Sequence, residues 1–294
     1  MLLAELTKHR ILGTLILADE GINGTIAGKR ESMESFIDYL QTEPAFEGKF
    51  LDAEIKYSTC GIHPFGRLRV KIKDEIVTMR VPGVSPSKSV GTYVEPNAWN
   101  ALIDRPDTIL IDTRNDFEVE VGTFKSSDGR ESINPQTTAF CDFPSYVRDN
   151  LEDLQGKQVA MFCTGGIRCE KATSYLKSLG IESVFHLKGG ILKYLEEVPR
   201  DESRWVGECF VFDERVTVNH DLEPGEYSLC WACRMPLKPA DLEREEYEPG
   251  ISCHRCIGTH DEATLAGLHE RQKQIRLARE RGERHLGQPG PTSI

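Results

Sequence analysis

Residues 159–180 constrain the fold more than any other stretch of this chain. Val159 to Phe162 is a short apolar run that reads as a buried strand. Cys163 ends it, and Thr164-Gly165-Gly166-Ile167-Arg168 turns the chain. A helical pattern begins at about Glu170 and carries Tyr175, Leu176 and Leu179 to Gly180. A buried strand feeding a helix through a glycine turn points to an α/β fold with a parallel sheet. It also makes a chemical site. Glycines in such a turn let backbone N–H groups point inward, and the helix adds the positive end of its dipole. A thiolate or an anionic adduct on Cys163 is stabilised there and its pKa falls. Arg168 closes the ring with a fixed fork of donors. The plainer reading is a buried packing cysteine, but a cysteine, two glycines and an arginine in one turn favour a reactive thiol.

Nine cysteines are present, and four form two Cys-x2-Cys pairs, Cys230/Cys233 and Cys253/Cys256, nineteen residues apart. That pattern reads as metal binding plus a reactive thiol, not as a disulfide scaffold. Four thiolates so spaced reach the corners of a tetrahedron, so the expectation is a structural zinc with no open position. Four free cysteines or a redox pair is the alternative. The chain between the pairs is largely polar, and a metal staple would hold it. His254 and His260 are possible substitute ligands.

At 294 residues the chain has room for roughly two domains. No apolar run is long enough to span a membrane. Lys8, His9 and Arg10 interrupt the short apolar start, so no signal-peptide plan is visible and a cytoplasmic location is expected. The net charge of −11 argues against a nonspecific nucleic-acid coat but leaves room for a local basic face. Two such faces are visible. Arg67, Arg69, Lys71 and Lys73 alternate with Leu68, Val70 and Ile72 along one strand. A helix from about Glu262 to Arg284 crowds arginines around a thin stripe of Leu265, Leu268, Ile275 and Ala278. Either meets phosphates or is solvated surface.

Cys163-x4-Arg168 resembles the active-site loop of the rhodanese superfamily. The longer string Cys163-Thr-Gly-Gly-Ile-Arg-Cys169-Glu-Lys171 resembles the bacterial rhodanese-domain family that hydroxylates uridine 34 of tRNA. The resemblance runs from the Glu20-Gly21-Ile22-Asn23-Gly24 turn to Cys256. It implies oxygen-dependent formation of 5-hydroxyuridine at the wobble position, with molecular oxygen as co-substrate and the tRNA anticodon loop as partner. The alternative is a sulfurtransferase carrying a persulfide on Cys163; a noncatalytic RNA-binding scaffold is the third class. The electron donor, the tRNAs chosen, the oligomeric state and the role of Cys169 are open in the sequence.

The expected organisation is a ferredoxin-like α+β domain over 1–80, a turn-rich linker over 81–90 and a rhodanese domain with a parallel sheet over 91–200. A cysteine-rich zinc-binding region with a basic helix follows over 201–285, and a disordered tail over 286–294. The first domain reads as opening on a helix where the fold has a central strand, so the expectation is that Met1 is a misassigned or alternative start. Strands are also expected at 53–58 and near Ile76-Val77-Thr78, a turn over Glu20–Gly24, and a helix at Pro96–Ile103 capped by Asn97. Ser126 to Ser132 departs from the family pattern and is expected to be an exposed, mobile loop.

The candidate site is Cys163 with Arg168, cradled by Thr164, Gly165, Gly166 and Ile167. Asp112 and Arg114 follow the second buried strand, Thr108 to Asp112, at the carboxyl end of a parallel sheet, where such folds place their sites. Asp112 reads first as a structural ion-pair partner, and Arg114 as a fork for a phosphate or base edge. Cys169 either packs or resolves an oxidised Cys163.

Overall fold

The computed structural model describes residues 1–59, 61 and 63–282. They form two compact units, one of residues 1–76 with 227–282 and the other of residues 77–226. The expected tail and Arg284 lie outside the described residues.

In the first unit, α1 (Leu2–Lys8), β1 (Leu12–Ala18), β2 (Gly21–Ala27), α2 (Arg30–Thr42) and β3 (Leu68–Ile72) make an α+β domain. The sheet order is β2-β1-β3; β1 is antiparallel to β2 and parallel to β3. Leu6, Ile11, Leu15, Phe36 and Leu40 bury one face of the sheet under the helices. The turn is shorter than expected. Ala18 already pairs with Gly21, so only Asp19 and Glu20 lie outside the ladder. Gly21 to Gly24 continue as strand, paired with Ala18 to Leu15, and at Gly24 the chains approach too closely for a side chain: a Cβ there would sit 2.0 Å from the Thr14 carbonyl oxygen. Residues 53–58 and 76–78 form no strand, so those two expectations fail. Residues 54–58 are exposed, without the half-burial that favours pairing.

The second unit is organised on a parallel sheet. Its elements are β4 (Thr92–Val94), α3 (Pro96–Ile103), β5 (Thr108–Asp112), α4 (Asp116–Val119), β6 (Gly122–Phe124), α5 (Phe143–Asp149), α6 (Leu151–Leu154), β7 (Gln158–Phe162), α7 (Ile167–Ser178), β8 (Val184–Leu187), α8 (Gly190–Glu197) and β9 (Trp205–Gly207). The order is β4-β8-β7-β5, every neighbour parallel. Alternation along β7 divides the core. Ala160 and Phe162 face Trp99, Phe124, Leu187, Tyr194 and Trp205, while Val159 and Met161 face Ile111, Leu176 and Val184. Residues 201–226 belong to this unit, with Trp205, Cys209 and Val211 in its core. The cap of α3 is Glu95, not Asn97, because Pro96 takes the first helical position where its missing N–H costs nothing.

The segment from Ser126 to Ser132 is exposed at Ser127, Asp128, Gly129 and Glu131, as expected, but it is tied to its surroundings by hydrogen bonds. Ser126 and Ser132 are buried, Lys125 pairs with Glu131, and Arg130 donates to Asp128 and to the carbonyls of Ile103, Arg105 and Thr108. The polar residues that suggested mobility are the ones that tie the turn down.

Residues 227–282 return to the first unit. A two-stranded ladder, Ser228–Leu229 with Pro236–Leu237, carries the first cysteine pair. The C-terminal helix, here α9 (Glu262–Glu280), is capped by the Asp261 carboxylate, which accepts from the Thr264 N–H. Its buried positions, Leu268 and Ala278, lie on the expected stripe.

Candidate active site

Cys163 follows β7 directly, so the most buried strand of the sheet sets its position. The loop after it is pinned from α8. Ile191 N–H donates to the Cys163 carbonyl at 2.9 Å and Leu192 N–H to the Thr164 carbonyl at 3.2 Å. That approach needs Gly190. With φ +69° and a Cβ that would fall 2.6 Å from both carbonyl oxygens, no other residue fits there. Gly166 N–H, at the N-terminus of α7, donates to the Cys163 sulfur at 3.1 Å.

The sulfur is 2% exposed. Burial alone would push its pKa up. The Cys169 thiol, the Arg168 charge and the N–H groups of Cys169 and Gly166 outweigh burial and hold it down at about 5. Cys163 is therefore a thiolate at neutral pH. Cys169 moves the other way: burial, then the hydrogen bond to Cys163 and its charge, push it well above the ordinary thiol range. Its sulfur also meets Thr113 Oγ1 at 3.4 Å. The two cysteines are thus pushed in opposite directions, Cys163 toward the thiolate and Cys169 toward the neutral thiol.

Arg168 does not stand alone. Its Nη1 donates to Glu118 Oε2 at 2.6 Å and its Nη2 to Glu118 Oε1 at 2.8 Å, a bidentate pair. Glu118 is fully buried and accepts from the Asn115 N–H at 3.0 Å, closing the capping box of α4. Sequence reasoning missed Glu118. The signal was present as Asn115-x-x-Glu118, a capping box, but nothing in it told that the carboxylate would turn to the cysteine loop.

Asp112 and Arg114 occupy the core, both fully buried. Arg114 Nη2 meets Asp112 Oδ2 at 2.6 Å and the Gly122 carbonyl at 2.5 Å, its Nε meets Asp112 Oδ1 at 2.9 Å, and its Nη1 donates to the Glu118 carbonyl at 3.1 Å. The guanidinium also lies over the Trp205 ring at 5.1 Å. The reading of Arg114 as a fork for a ligand is corrected: its donors are spent on the carboxylate and on backbone carbonyls that no water can reach. Its work is to tie β5 to α4, which carries Glu118. Two open clefts of this unit, about 680 and 440 Å³, lie around Trp205 and Glu226 and around Leu195 and Leu222. Neither is lined by Cys163, and the chemistry of the cysteine loop marks the site more strongly than their size.

In the other unit the four expected cysteines converge. Their sulfurs all lie within 4.8 Å of one another, with Cys230 to Cys256 at 3.9 Å, Cys233 to Cys253 at 3.7 Å and Cys253 to Cys256 at 3.7 Å. A tetrahedral ion with metal–sulfur bonds of about 2.3 Å needs edges of about 3.8 Å. The cluster can therefore coordinate a metal ion, and neither histidine is required. Close by, Arg234 stacks on the Trp231 ring at 4.7 Å, and burial, then the charges of Arg271 and Arg67, push its pKa down. The basic stripe of β3 and the basic helix α9 thus meet at Arg67, Arg234 and Arg271.

A model of the UPF0176 acylphosphatase like domain matches residues 1–76, and one of the rhodanese-like domain matches residues 95–197. This is the architecture of the bacterial tRNA uridine hydroxylase family, within the rhodanese superfamily. Among solved structures, the chain is similar to a rhodanese-related protein from Thermoplasma volcanium, at 24% identity over 36% of this chain and 93% of that one, TM-score 0.28. It is similar also to a Rhodopseudomonas palustris protein titled as a possible tyrosine phosphatase, at 20% identity over 38% and 83%, TM-score 0.28. A third, from M. tuberculosis, has 26% identity over 35% and 80%, TM-score 0.28. The two matched domain models make the chain a rhodanese-superfamily protein, a class that performs redox or sulfur- and oxygen-handling chemistry. Among the described residues no helix is long and apolar enough to cross a membrane.

Proposed function

We propose that this protein hydroxylates C5 of uridine 34 in tRNA, using molecular oxygen, in the cytoplasm. The observation that carries the reading is the Cys163 thiolate, held by N–H groups and Arg168 in a chain with the two-domain architecture of the family. A thiolate is the nucleophile that uracil chemistry needs. Added to C6, it makes C5 electron-rich and able to meet an oxidant. The wobble base lies in a single-stranded loop, so taking it out of its stack costs little. The basic cluster of Arg67, Arg234 and Arg271 supports a contact with the anticodon stem or loop backbone. Zinc at Cys230, Cys233, Cys253 and Cys256 would hold the segment that bears Arg234, a structural role with no free position.

The test is nucleoside mass spectrometry of tRNA from cells lacking the gene, then with the wild type or Cys163→Ala restored. Loss of 5-hydroxyuridine and its derivatives, rescued by wild type alone, is the expected result. An unchanged hydroxyuridine pool with altered thiolated nucleosides would move the assignment to sulfur transfer. That second reading has its own support, because the N–H cradle suits a Cys163 persulfide as well as a thiolate.

A further inference from the structure

The end of an arginine side chain is shaped to grip an oxyanion through two parallel N–H bonds. At Arg168 that grip is filled from within the chain. Glu118 accepts from Nη1 at 2.6 Å and from Nη2 at 2.8 Å, and Thr164 Oγ1 accepts from the same Nη2 at 3.4 Å. The end-on fork is taken whole and the side-on edge in part. We infer that Glu118 is a specificity-determining residue: it fills the fork that a phosphate or thiosulfate would need, so the Cys163 loop turns anionic substrates away and accepts an electrophile without charge, such as a uracil ring. The inference rests on the reading of Cys163 as the reacting group and names the substrate class of that site.

The charges add up the same way. Burial works against ionisation of Glu118, yet the charge and hydrogen bonds of Arg168, the charge of Arg114 and the Asn115 N–H hold its pKa below the ordinary carboxylate value. Glu118 is therefore charged at neutral pH and cancels Arg168. Asp112 and Arg114 cancel likewise, fully buried and 2.6 Å apart. What remains is the negative charge of the Cys163 thiolate, which accepts from the Gly166 N–H. An anion approaching that sulfur meets a like charge and finds no whole fork to hold it. Like charges brought together out of water repel strongly. A uracil ring meets neither penalty, because it brings no charge with it.

The carboxylate is built to stay in place. Its Oε2 also accepts from the Asn115 N–H at 3.0 Å, and the Glu118 carbonyl accepts from Arg114 Nη1 at 3.1 Å. Both ends of the residue are thus tied, so an incoming anion cannot push the carboxylate aside without breaking the cap of α4. The competing account makes Glu118 a pin for the loop and nothing more. It predicts that all reagents for Cys163 are affected alike when the carboxylate is removed.

The experiment compares two alkylating reagents on the full chain. Iodoacetamide and iodoacetate are close in size and react in the same way: the thiolate bonds to carbon and iodide leaves. They differ in charge. Alkylation of Cys163 is followed by peptide mass spectrometry, with 2-mercaptoethanol as the reference thiol. The ratio of the two rates cancels the thiolate fraction and the access to the sulfur. In wild type, iodoacetamide should lead iodoacetate by about tenfold more than it does on the reference thiol. Neither phosphate nor thiosulfate should protect Cys163. Glu118→Gln should shift the ratio toward iodoacetate and let both anions protect. A variant that changes both rates by the same factor would overturn the inference and leave Glu118 as a pin. A wild-type ratio equal to that of the reference thiol would overturn it too, and so would reaction with neither reagent, since the sulfur would then admit no small electrophile. Protection of wild type by thiosulfate would overturn it and favour sulfur transfer. The wild-type ratio does not depend on how the variant folds. None of these rates measures hydroxyuridine, so the hydroxylase reading stands or falls separately, by the nucleoside test.

Discussion

A fully buried carboxylate fixes a nearly buried guanidinium whose charge helps hold the Cys163 thiol low. Glu118 and Arg168 form a bidentate ion pair with side chains 0% and 12% exposed. Removing one partner leaves the other charge uncompensated, which costs about 3–5 kcal/mol in such settings. Glu118→Gln should therefore lower the denaturation midpoint markedly, and a surface-like loss of a few tenths of a kcal/mol would show that the pair is solvated. The thiol gives a separate prediction. Its folded pKa, about 5, lies below the unfolded value of about 8.5. The group therefore favours the folded state fully above the unfolded value, and that contribution is lost as pH falls toward 5. The thiolate absorbance of wild type minus Cys163→Ser should titrate with a midpoint near 5. Arg168→Met should move the midpoint up, because an attractive charge is gone while burial remains. A difference titration near 8.5 in wild type would sink the assignment of Cys163 as an activated thiolate.

At the scale of elements, α8 acts on the site without contributing a reactive group. Its first turn hydrogen-bonds the Cys163 and Thr164 carbonyls, which turns the loop's N–H groups toward the sulfur. Gly190→Ala would force a methyl into that contact at a positive φ. The expected outcome is loss of most activity and an upward shift of the Cys163 titration, with the parallel sheet intact by circular dichroism; wild-type titration would mean the loop does not depend on α8. What the sequence made legible follows from range. The strand, the cysteine turn and the helix were readable because their signals are local: an apolar run, glycines and 3.6-residue spacing. The four zinc-type cysteines were readable because metal geometry translates directly into spacing. Glu118 was not, because its meeting with Arg168 spans fifty residues and depends on β5 lying beside β7. Arg114 misled for the same reason. An arginine after a buried strand looks like a ligand fork until the fold shows Trp205 covering it from residues far along the chain. Ser126 to Ser132 misled because polarity signals a loop but not whether its polar groups find partners.

The whole molecule divides its labour between two units. The cysteine chemistry belongs to residues 77–226, and the metal-type cluster and the basic residues Arg67, Arg234 and Arg271 belong to the other unit. A hydroxylase acting on free uridine has no use for the second unit, whereas one that must find a base within a tRNA does. The cluster and the basic surface are connected: Arg234 follows Cys233, and Arg271 of α9 donates to the carbonyls of Trp231, inside the first cysteine pair, and Gly250, just before the second. A metal that fixes the two knuckles also fixes where those guanidiniums stand. Stripping the ion with a strong chelator, or replacing Cys253 with Ser, should therefore weaken tRNA binding and speed amide exchange across 228–257. The Cys163 titration and amide protection along β7 should stay as they were, because neither draws on that cluster. Metal analysis should find one zinc per chain before treatment and none after. Unchanged tRNA affinity in the zinc-free protein, with exchange across 228–257 raised, would mean that the knuckles are ordered by the metal but take no part in holding the RNA.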